Sequence, residues 1–254
     1  MKLIVGNWKM YPKTLIEAKK IFTEEKKTAR LLKKTKIVSC PPALFIEPLS
    51  RSALGTKAVS LGAQNCFFED EGARTGETSP LQIASVGATY VILGHSERRA
   101  LGESDEVIAQ KAIQANKAKL TVILCVGEKK RDEAGTYFNE VREQMRKSLT
   151  GFPSDAVKRL VIAYEPIWAI GANAIRPATP HDFHEMSILI KRHLVEQFGK
   201  TAGFKVPILY GGSVDEKNAE GFLKEGAADG LLIGRVSLDA ERFGTILKLA
   251  DKLS

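Results

Sequence analysis

Short apolar segments rich in β-branched residues recur along the whole chain. Their apolar residues occupy consecutive positions, as is typical of parallel strands that are covered on both faces. Eight such runs predict strands: Leu3–Val5, Ile37–Val38, Ala58–Leu61, Tyr90–Leu93, Thr121–Val126, Leu160–Tyr164, Val206–Tyr210 and Leu231–Ile233.

The segments between these runs show helical spacing. Thr179-Pro180 predicts an N-cap followed by proline at the first helical position, and either Ser237 or Asp239 begins the last helix. The apolar positions that mark the helical faces include Leu15, Ala18, Ile21, Ala29, Ile108, Ala112, Ala115, Phe183, Met186, Ile190, Leu194, Phe243, Ile246, Leu247 and Ala250.

Strand–helix repetition favours parallel strands joined by right-handed crossovers. An open doubly wound sheet would show G-x-G-x-x-G after the first strand, but Gly6-Asn7-Trp8-Lys9 stands there. Eight units in about 250 residues are typical of a closed barrel. The sequence therefore predicts an α/β fold, a single closed, parallel, eight-stranded (β/α)8 barrel in one domain over residues 1–254.

Composition and charge narrow the class of protein. The 254 residues contain 44% hydrophobic and 27% charged residues, as in globular proteins, and no apolar run reaches the roughly 18–20 residues of a membrane span. Cys40, Cys66 and Cys125 lack metal or redox spacing, which indicates buried packing residues in a reducing, cytoplasmic setting. The net charge of +8 indicates only that anionic ligands are not repelled. The basic segment 26–34 lacks interleaved aromatic residues on which bases could stack, so we expect no nucleic-acid partner. Because no apolar run is long enough to span a membrane, we expect no membrane partner either.

Polar residues follow several predicted strands where each strand ends. In (β/α)8 barrels these ends form the active-site face. Asn7 and Lys9 follow the first strand, His95 the fourth and Glu165 the sixth. Because Ser96 can cap a short helix there, we expect His95 to be neutral and suited to donating a hydrogen bond.

Glycine-rich turns follow the last two strands. Gly211-Gly212-Ser213 and Gly234-Arg235 lie where this fold commonly binds phosphate through backbone N–H groups. We expect no metal, because His181 and His184 lie at a helix start with no further ligand motif.

Five motifs together resemble the triosephosphate isomerase family, in order and at its spacing. They are Gly6-Asn7-Trp8-Lys9-Met10, Gly94-His95-Ser96-Glu97-Arg98-Arg99, Cys125-Val126-Gly127-Glu128, Ala163–Gly171 and Tyr210-Gly211-Gly212-Ser213-Val214. The resemblance implies a TIM barrel that interconverts dihydroxyacetone phosphate and D-glyceraldehyde 3-phosphate in glycolysis and gluconeogenesis, without a cofactor.

The resemblance also implies roles for individual residues. Glu165 would be the base, His95 would polarise the carbonyl group, Lys9 would stabilise the enediolate and phosphate charge, and Asn7 would orient the substrate. The phosphate-binding N–H groups would come from Gly171, Ser213, Gly234 and Arg235.

A lid and a subunit contact are implied in the same way. Residues 166–173 match the lid, which begins with the hinge Pro166-Ile167-Trp168 and is latched by Tyr210 and Ser213. Ile170 and Leu232 would flank the base, and Ser96 and Glu97 would support the site. The loop 72–77, with Thr75, would dock into a second subunit of a homodimer.

Three positions depart from the family pattern: Ala172-Asn173-Ala174 in the lid, Arg235-Val236 at the phosphate end and Arg74 in the subunit loop. Two alternatives stay open at this stage. One is another phosphosugar isomerase or phosphate-binding barrel, which would not need Asn7, Lys9, His95 and Glu165 together. The other is a non-enzymatic binding protein, which would not need them at all.

Overall fold

Eight parallel strands pair in chain order and close into a barrel, in which β1 is hydrogen-bonded to β8. A computed structural model of the protein describes residues 1–53, 59–171 and 174–254. The strands are β1 Lys2–Asn7, β2 Thr35–Cys40, β3 Val59–Ala63, β4 Ala88–Leu93, β5 Thr121–Val126, β6 Leu160–Tyr164, β7 Ile208–Tyr210 and β8 Gly230–Ile233. The predicted barrel is confirmed; Ala58, the first residue of the third predicted run, lies outside the described residues.

Helices cover the outside of the barrel. They are α1 Leu15–Ala29, α2 Ile46–Ala53, α3 Pro80–Ser85, α4 Ser96–Ala100, α5 Asp105–Lys117, α6 Thr136–Ser148, α7 Pro180–Phe198, α8 Lys200–Lys205, α9 Ala219–Lys224 and α10 Ala240–Lys252. The Thr179 cap forms a capping box with Asp182. Of the two predicted starts of the last helix, Asp239 is the cap, because its side chain accepts the N–H groups of Glu241 and Arg242.

Two apolar layers hold this architecture. One fills the barrel interior and includes Val5, Ile92, Ile123 and Leu209; the other lies between the strands and the helices. Because each strand is buried on both faces, its apolar residues need no alternation. Residue pairs such as Val5 and Leu232 join the first and last strands, so both ends of the chain contribute to the same barrel wall.

The three cysteines are free and buried, as predicted. Burial raises the pKa of all three thiols, that of Cys66 to about 12. They are therefore packing residues rather than reactive thiolates. Within the described ranges, no helix combines the length and apolarity needed to cross a bilayer.

Candidate active site

A cavity of about 470 Å³ opens at the carboxyl ends of the strands. Most of the predicted site residues line it: Asn7, Lys9, His95, Ser96, Glu97, Glu165, Ile170, Gly171, Ser213, Leu232, Gly234 and Arg235. They come from five strand ends that are far apart in the chain, and barrel closure brings them together.

The turn after β1 presents Lys9 to this cavity. Its backbone has a φ of +50°, a conformation that only a well-determined surrounding maintains in a non-glycine residue. The Asn7 Oδ1 atom accepts the Lys9 N–H group at 3.1 Å, and the Gln64 side chain donates to the Lys9 carbonyl at 2.9 Å. The Lys9 Nζ atom lies 2.6 Å from Glu97 Oε1, so the ammonium group is held at the cavity wall.

His95 itself caps the short helix α4, which corrects the expectation that Ser96 does so. The His95 Nδ1 atom accepts the backbone N–H group of Glu97 at 3.2 Å. A nitrogen that accepts a hydrogen bond carries no proton, so this contact assigns a neutral imidazole with its proton on Nε2. The 3.7 Å approach of Nδ1 to Glu97 Oε2 is longer and does not change that assignment.

Glu165 lies opposite this imidazole and is 3% exposed. Its Oε1 atom is 3.1 Å from His95 Nε2, and its Oε2 atom accepts the Ser96 N–H group at 2.9 Å. Gly211 allows this arrangement, because a Cβ atom there would lie 3.1 Å from Glu165 Cγ. The carboxylate therefore rests on the imidazole side of the cavity.

The other side of the cavity is formed by the turns after β6, β7 and β8. Gly171, Ser213 and Gly234 line it. The Arg235 Nη2 atom lies 3.3 Å from the Tyr11 hydroxyl, and the guanidinium lies over the Tyr11 ring at 5.8 Å. This end can therefore take an anion on N–H groups and an arginine.

Buried carboxylate contacts hold the predicted first hinge of the lid. Within Pro166-Ile167-Trp168, the Trp168 Nε1 atom donates to Glu128 Oε1 at 2.7 Å, and the Tyr164 hydroxyl donates to the same oxygen at 2.7 Å. Arg131 lies 3.0 Å from that oxygen. Glu128, which follows β5, therefore supports the hinge and does not line the active-site cavity. Ala172 and Asn173 lie outside the described residues.

The predicted hinge residues Pro166, Ile167 and Trp168 do not line the cavity, and two further predicted residues, Tyr210 and Thr75, also lie away from it. Tyr210 is 1% exposed and stacks on Phe222, with ring centroids 3.6 Å apart. Thr75 lies in an exposed loop with Arg74, whose guanidinium pairs with Glu69 at 3.0 Å.

Four lining residues were not predicted from the sequence: Tyr11, Asp215, Asn218 and Arg242. Asp215 could have been found, since it lies two residues after the glycine-rich turn that follows β7. Arg242 had no such signal, because it lies on α10 and reaches the cavity only in the folded protein.

Metal ligation has no support in the described residues, which hold no group of three or more His, Cys, Asp or Glu side chains suited to an ion. His181 and His184 are exposed on α7. The site offers instead a carboxylate beside a neutral hydrogen-bond donor and an ammonium group, a set suited to proton transfer next to a carbonyl group.

Comparison with known proteins agrees with this chemistry. The family model described as triosephosphate isomerase matches residues 2–250. The triosephosphate isomerases of Caldanaerobacter subterraneus subsp. tengcongensis and Aquifex aeolicus are each 42% identical, over 96% and 97% of this chain and 98% of either relative. The crystal structure of triosephosphate isomerase from Bartonella henselae superposes with a TM-score of 0.83 at 33% identity, covering 98% of both chains. The chain belongs to the triosephosphate isomerase family.

Proposed function

We propose that this protein is an isomerase that interconverts dihydroxyacetone phosphate and D-glyceraldehyde 3-phosphate. The observation that carries the proposal is the pairing of Glu165 with His95, 3.1 Å apart, in a cavity that Gly171, Ser213 and Gly234 also line. Such a cavity can hold a phosphate at one end and a carbonyl group at the other. The family of the curated relatives supports the same activity.

The carboxylate of Glu165 acts as the base. It removes a proton from the carbon next to the substrate carbonyl and returns that proton to the former carbonyl carbon. The hydroxyl proton passes to the former carbonyl oxygen, so the reaction needs no external reductant or oxidant. To reach the substrate, the carboxylate must leave the Ser96 N–H group that it accepts at 2.9 Å. Substrate binding therefore exchanges this hydrogen bond for contact with the reacting carbon.

His95 and Lys9 stabilise the negative charge that develops on the substrate oxygens. Because the His95 Nδ1 atom accepts the Glu97 N–H group, the proton on Nε2 is available to the carbonyl oxygen. The Lys9 ammonium adds a positive charge, and Asn7 orients the turn that carries it.

The lid closes over the bound phosphate in this proposal. Gly171 contributes its N–H group, Ser213 and Tyr210 latch the closed lid, and Ile170 and Leu232 flank Glu165. Support comes from the cavity wall, which includes Ile170, Gly171, Ser213 and Leu232, while Pro166, Ile167 and Trp168 form the hinge. Lid closure excludes water from the enediolate, and this family is itself a standard example of such gating.

We also infer that the chain forms a homodimer of one-domain subunits in the cytoplasm. The exposed loop that contains Thr75 would dock beside the active site, where Lys9, Met10 and Gln64 line an open cavity of about 330 Å³. Met10 is 92% exposed, and a partner loop would cover it. Sedimentation at micromolar concentration should give a monomer for Thr75→Arg and a dimer for the parent protein. Thr201→Arg, which makes the same change at an exposed threonine on α8, is the control and should also give a dimer. A monomeric parent protein would contradict the dimer.

A coupled assay of D-glyceraldehyde 3-phosphate isomerisation tests the activity. We expect Glu165→Asp and His95→Gln each to reduce turnover by at least ~10²-fold, the usual contribution of a positioned acid–base or electrophilic group. The exposed residues Glu133 and His181 provide matched controls, Glu133→Asp and His181→Gln, which should keep full activity. An inactive parent protein would refute the substrate assignment, and unimpaired Glu165 or His95 variants would refute the mechanism.

A further inference from the structure

A second cavity lies at the opposite end of the barrel, where the strands begin. Its volume is about 740 Å³, against about 470 Å³ for the active-site cavity. Its floor includes Leu3 at the start of β1 and Thr121 at the start of β5, and its wall comes from α7 and α8. Cavities of this size commonly hold small-molecule ligands.

Lysine side chains dominate the charge around this second cavity. One carboxylate, that of Asp229, faces the lysines among the described lining residues, and its Oδ2 atom accepts the Ile208 N–H group at 2.9 Å. Concave surfaces of one charge sign concentrate ions of the opposite sign. The five lining lysines are Lys2, Lys36, Lys158, Lys191 and Lys205.

Two of these ammonium groups are fixed by backbone carbonyls. The Lys2 Nζ atom lies 2.6 Å from the Ala228 carbonyl oxygen, and the Lys191 Nζ atom lies 2.6 Å from that of Val206. Burial lowers the pKa of both lysines, against the opposing effect of the Asp229 carboxylate. An anion in the cavity would compensate this desolvation of the charged form.

The other three lysines are exposed and available. In the part of the chain that the structure describes, Lys36, Lys158 and Lys205 form no ion pair, whereas other lysines pair with glutamates. A phosphate group meets such ammonium groups as point charges. The cavity thus combines two ammonium groups that backbone carbonyls hold with three exposed ones.

An aromatic surface lies beside these cations. Phe204 is 66% exposed and Ile188 is 58% exposed, and both line the cavity. The Lys191 ammonium lies 5.4 Å from the centre of the Phe204 ring. A planar ring of a ligand can stack on the exposed phenyl group while its phosphates contact the lysines.

We propose that this cavity is a second binding site for a nucleoside diphosphate or a ligand of the same chemistry, namely an aromatic ring that carries phosphate groups. The site is separate from the isomerase site, since the two cavities open at opposite ends of the strands. This second site is tested by measuring ligand binding directly, so the outcome does not depend on whether the proposed isomerase activity is correct.

Isothermal titration calorimetry with ADP in 50 mM NaCl tests the site. Saturating glycerol 3-phosphate, a triose phosphate analogue without a carbonyl group, keeps ADP out of the active site. We expect one ADP molecule to bind per chain. Its affinity should be at least about tenfold lower in 0.5 M NaCl, because salt screens exposed charges. Adenosine should not bind, and inorganic phosphate should bind at least about tenfold more weakly than ADP, because it lacks the stacking ring.

Variants locate the site. Lys158→Glu/Lys205→Glu should weaken ADP binding by at least about tenfold, and Phe204→Ala by about fivefold or more. Lys117→Glu/Lys248→Glu is the matched control, since it makes the same charge change at exposed lysines elsewhere. The proposal fails if ADP does not bind at 1 mM, if glycerol 3-phosphate displaces it, or if the control weakens binding as much as the cavity variant does. If inorganic phosphate binds as tightly as ADP, the site does not recognise an aromatic ring and the proposed ligand class is wrong. Circular dichroism and activity of each variant report that the fold is retained.

Discussion

Replacing Glu25 by glutamine should make the protein less sensitive to alkaline pH. Glu25 lies on α1 with 2% exposure, and its carboxyl group accepts hydrogen bonds from Trp8 Nε1 at 3.2 Å and from the Ser39 hydroxyl. Burial raises its pKa to about 8, because desolvation outweighs these two hydrogen bonds. The nearby Cys40 thiol adds no charge, since burial raises its pKa as well.

The sign and size of the effect follow from proton linkage. With an ordinary carboxyl pKa of 4.5 in the unfolded chain, the unfolded state loses its proton first as pH rises. The stability that the neutral carboxyl group provides is therefore complete below pH 4.5 and is lost progressively up to about pH 8. At about 1.4 kcal/mol for each pH unit, the loss reaches on the order of 5 kcal/mol.

Urea unfolding at one protein concentration, from pH 5 to pH 9, measures this loss. Near pH 5, Glu25→Gln should differ little from the parent protein. By pH 8 it should be more stable by several kcal/mol, since the amide cannot ionise. Glu24→Gln changes the neighbouring glutamate, which is partly exposed and pairs with Lys27, and should leave the pH dependence unaltered. Two results would contradict this proton linkage. One is a difference in unfolding free energy between Glu25→Gln and the parent protein that stays constant from pH 5 to pH 9. The other is the same pH-dependent gain in stability in Glu24→Gln.

Three further substitutions test the site geometry. Gly211→Ala should reduce turnover at least about tenfold with the fold intact, because the new Cβ atom would lie 3.1 Å from Glu165 Cγ and displace the proposed base. An unchanged kcat in the coupled assay would contradict this. Arg235→Ala should raise KM and the inhibition constant of inorganic phosphate about fivefold at unchanged kcat, since an exposed charge contributes about 1 kcal/mol to binding. If both constants equal those of the parent protein, the guanidinium lies outside the phosphate site. Trp168→Phe removes the 2.7 Å hydrogen bond to Glu128 and should lower the free energy of unfolding by about 2 kcal/mol in urea. A neutral result would contradict this and show that the Tyr164 and Arg131 contacts satisfy the same oxygen.

The fold could be predicted because its signals are local. Eight consecutive-apolar runs, the Thr179-Pro180 cap and the spacing of buried helix positions such as Ile108 all lie within short windows. Backbone hydrogen bonding and burial act on these windows in the same way wherever they occur in the barrel. The same local signals predicted that Lys9, His95 and Glu165 lie at one end of the barrel, because the carboxyl ends of parallel strands form a single face.

Local sequence signals thus specify the barrel and the strand ends that carry polar side chains. The contacts of those side chains depend on the folded barrel: His95 rather than Ser96 caps α4, and Glu128 accepts a hydrogen bond from Trp168 of the predicted lid hinge. The folded barrel also buries Glu25 beneath Trp8 and gathers lysines at its other end. The physical reason is that hydrogen-bond partners and desolvation depend on atoms from distant segments, which meet only when the barrel closes.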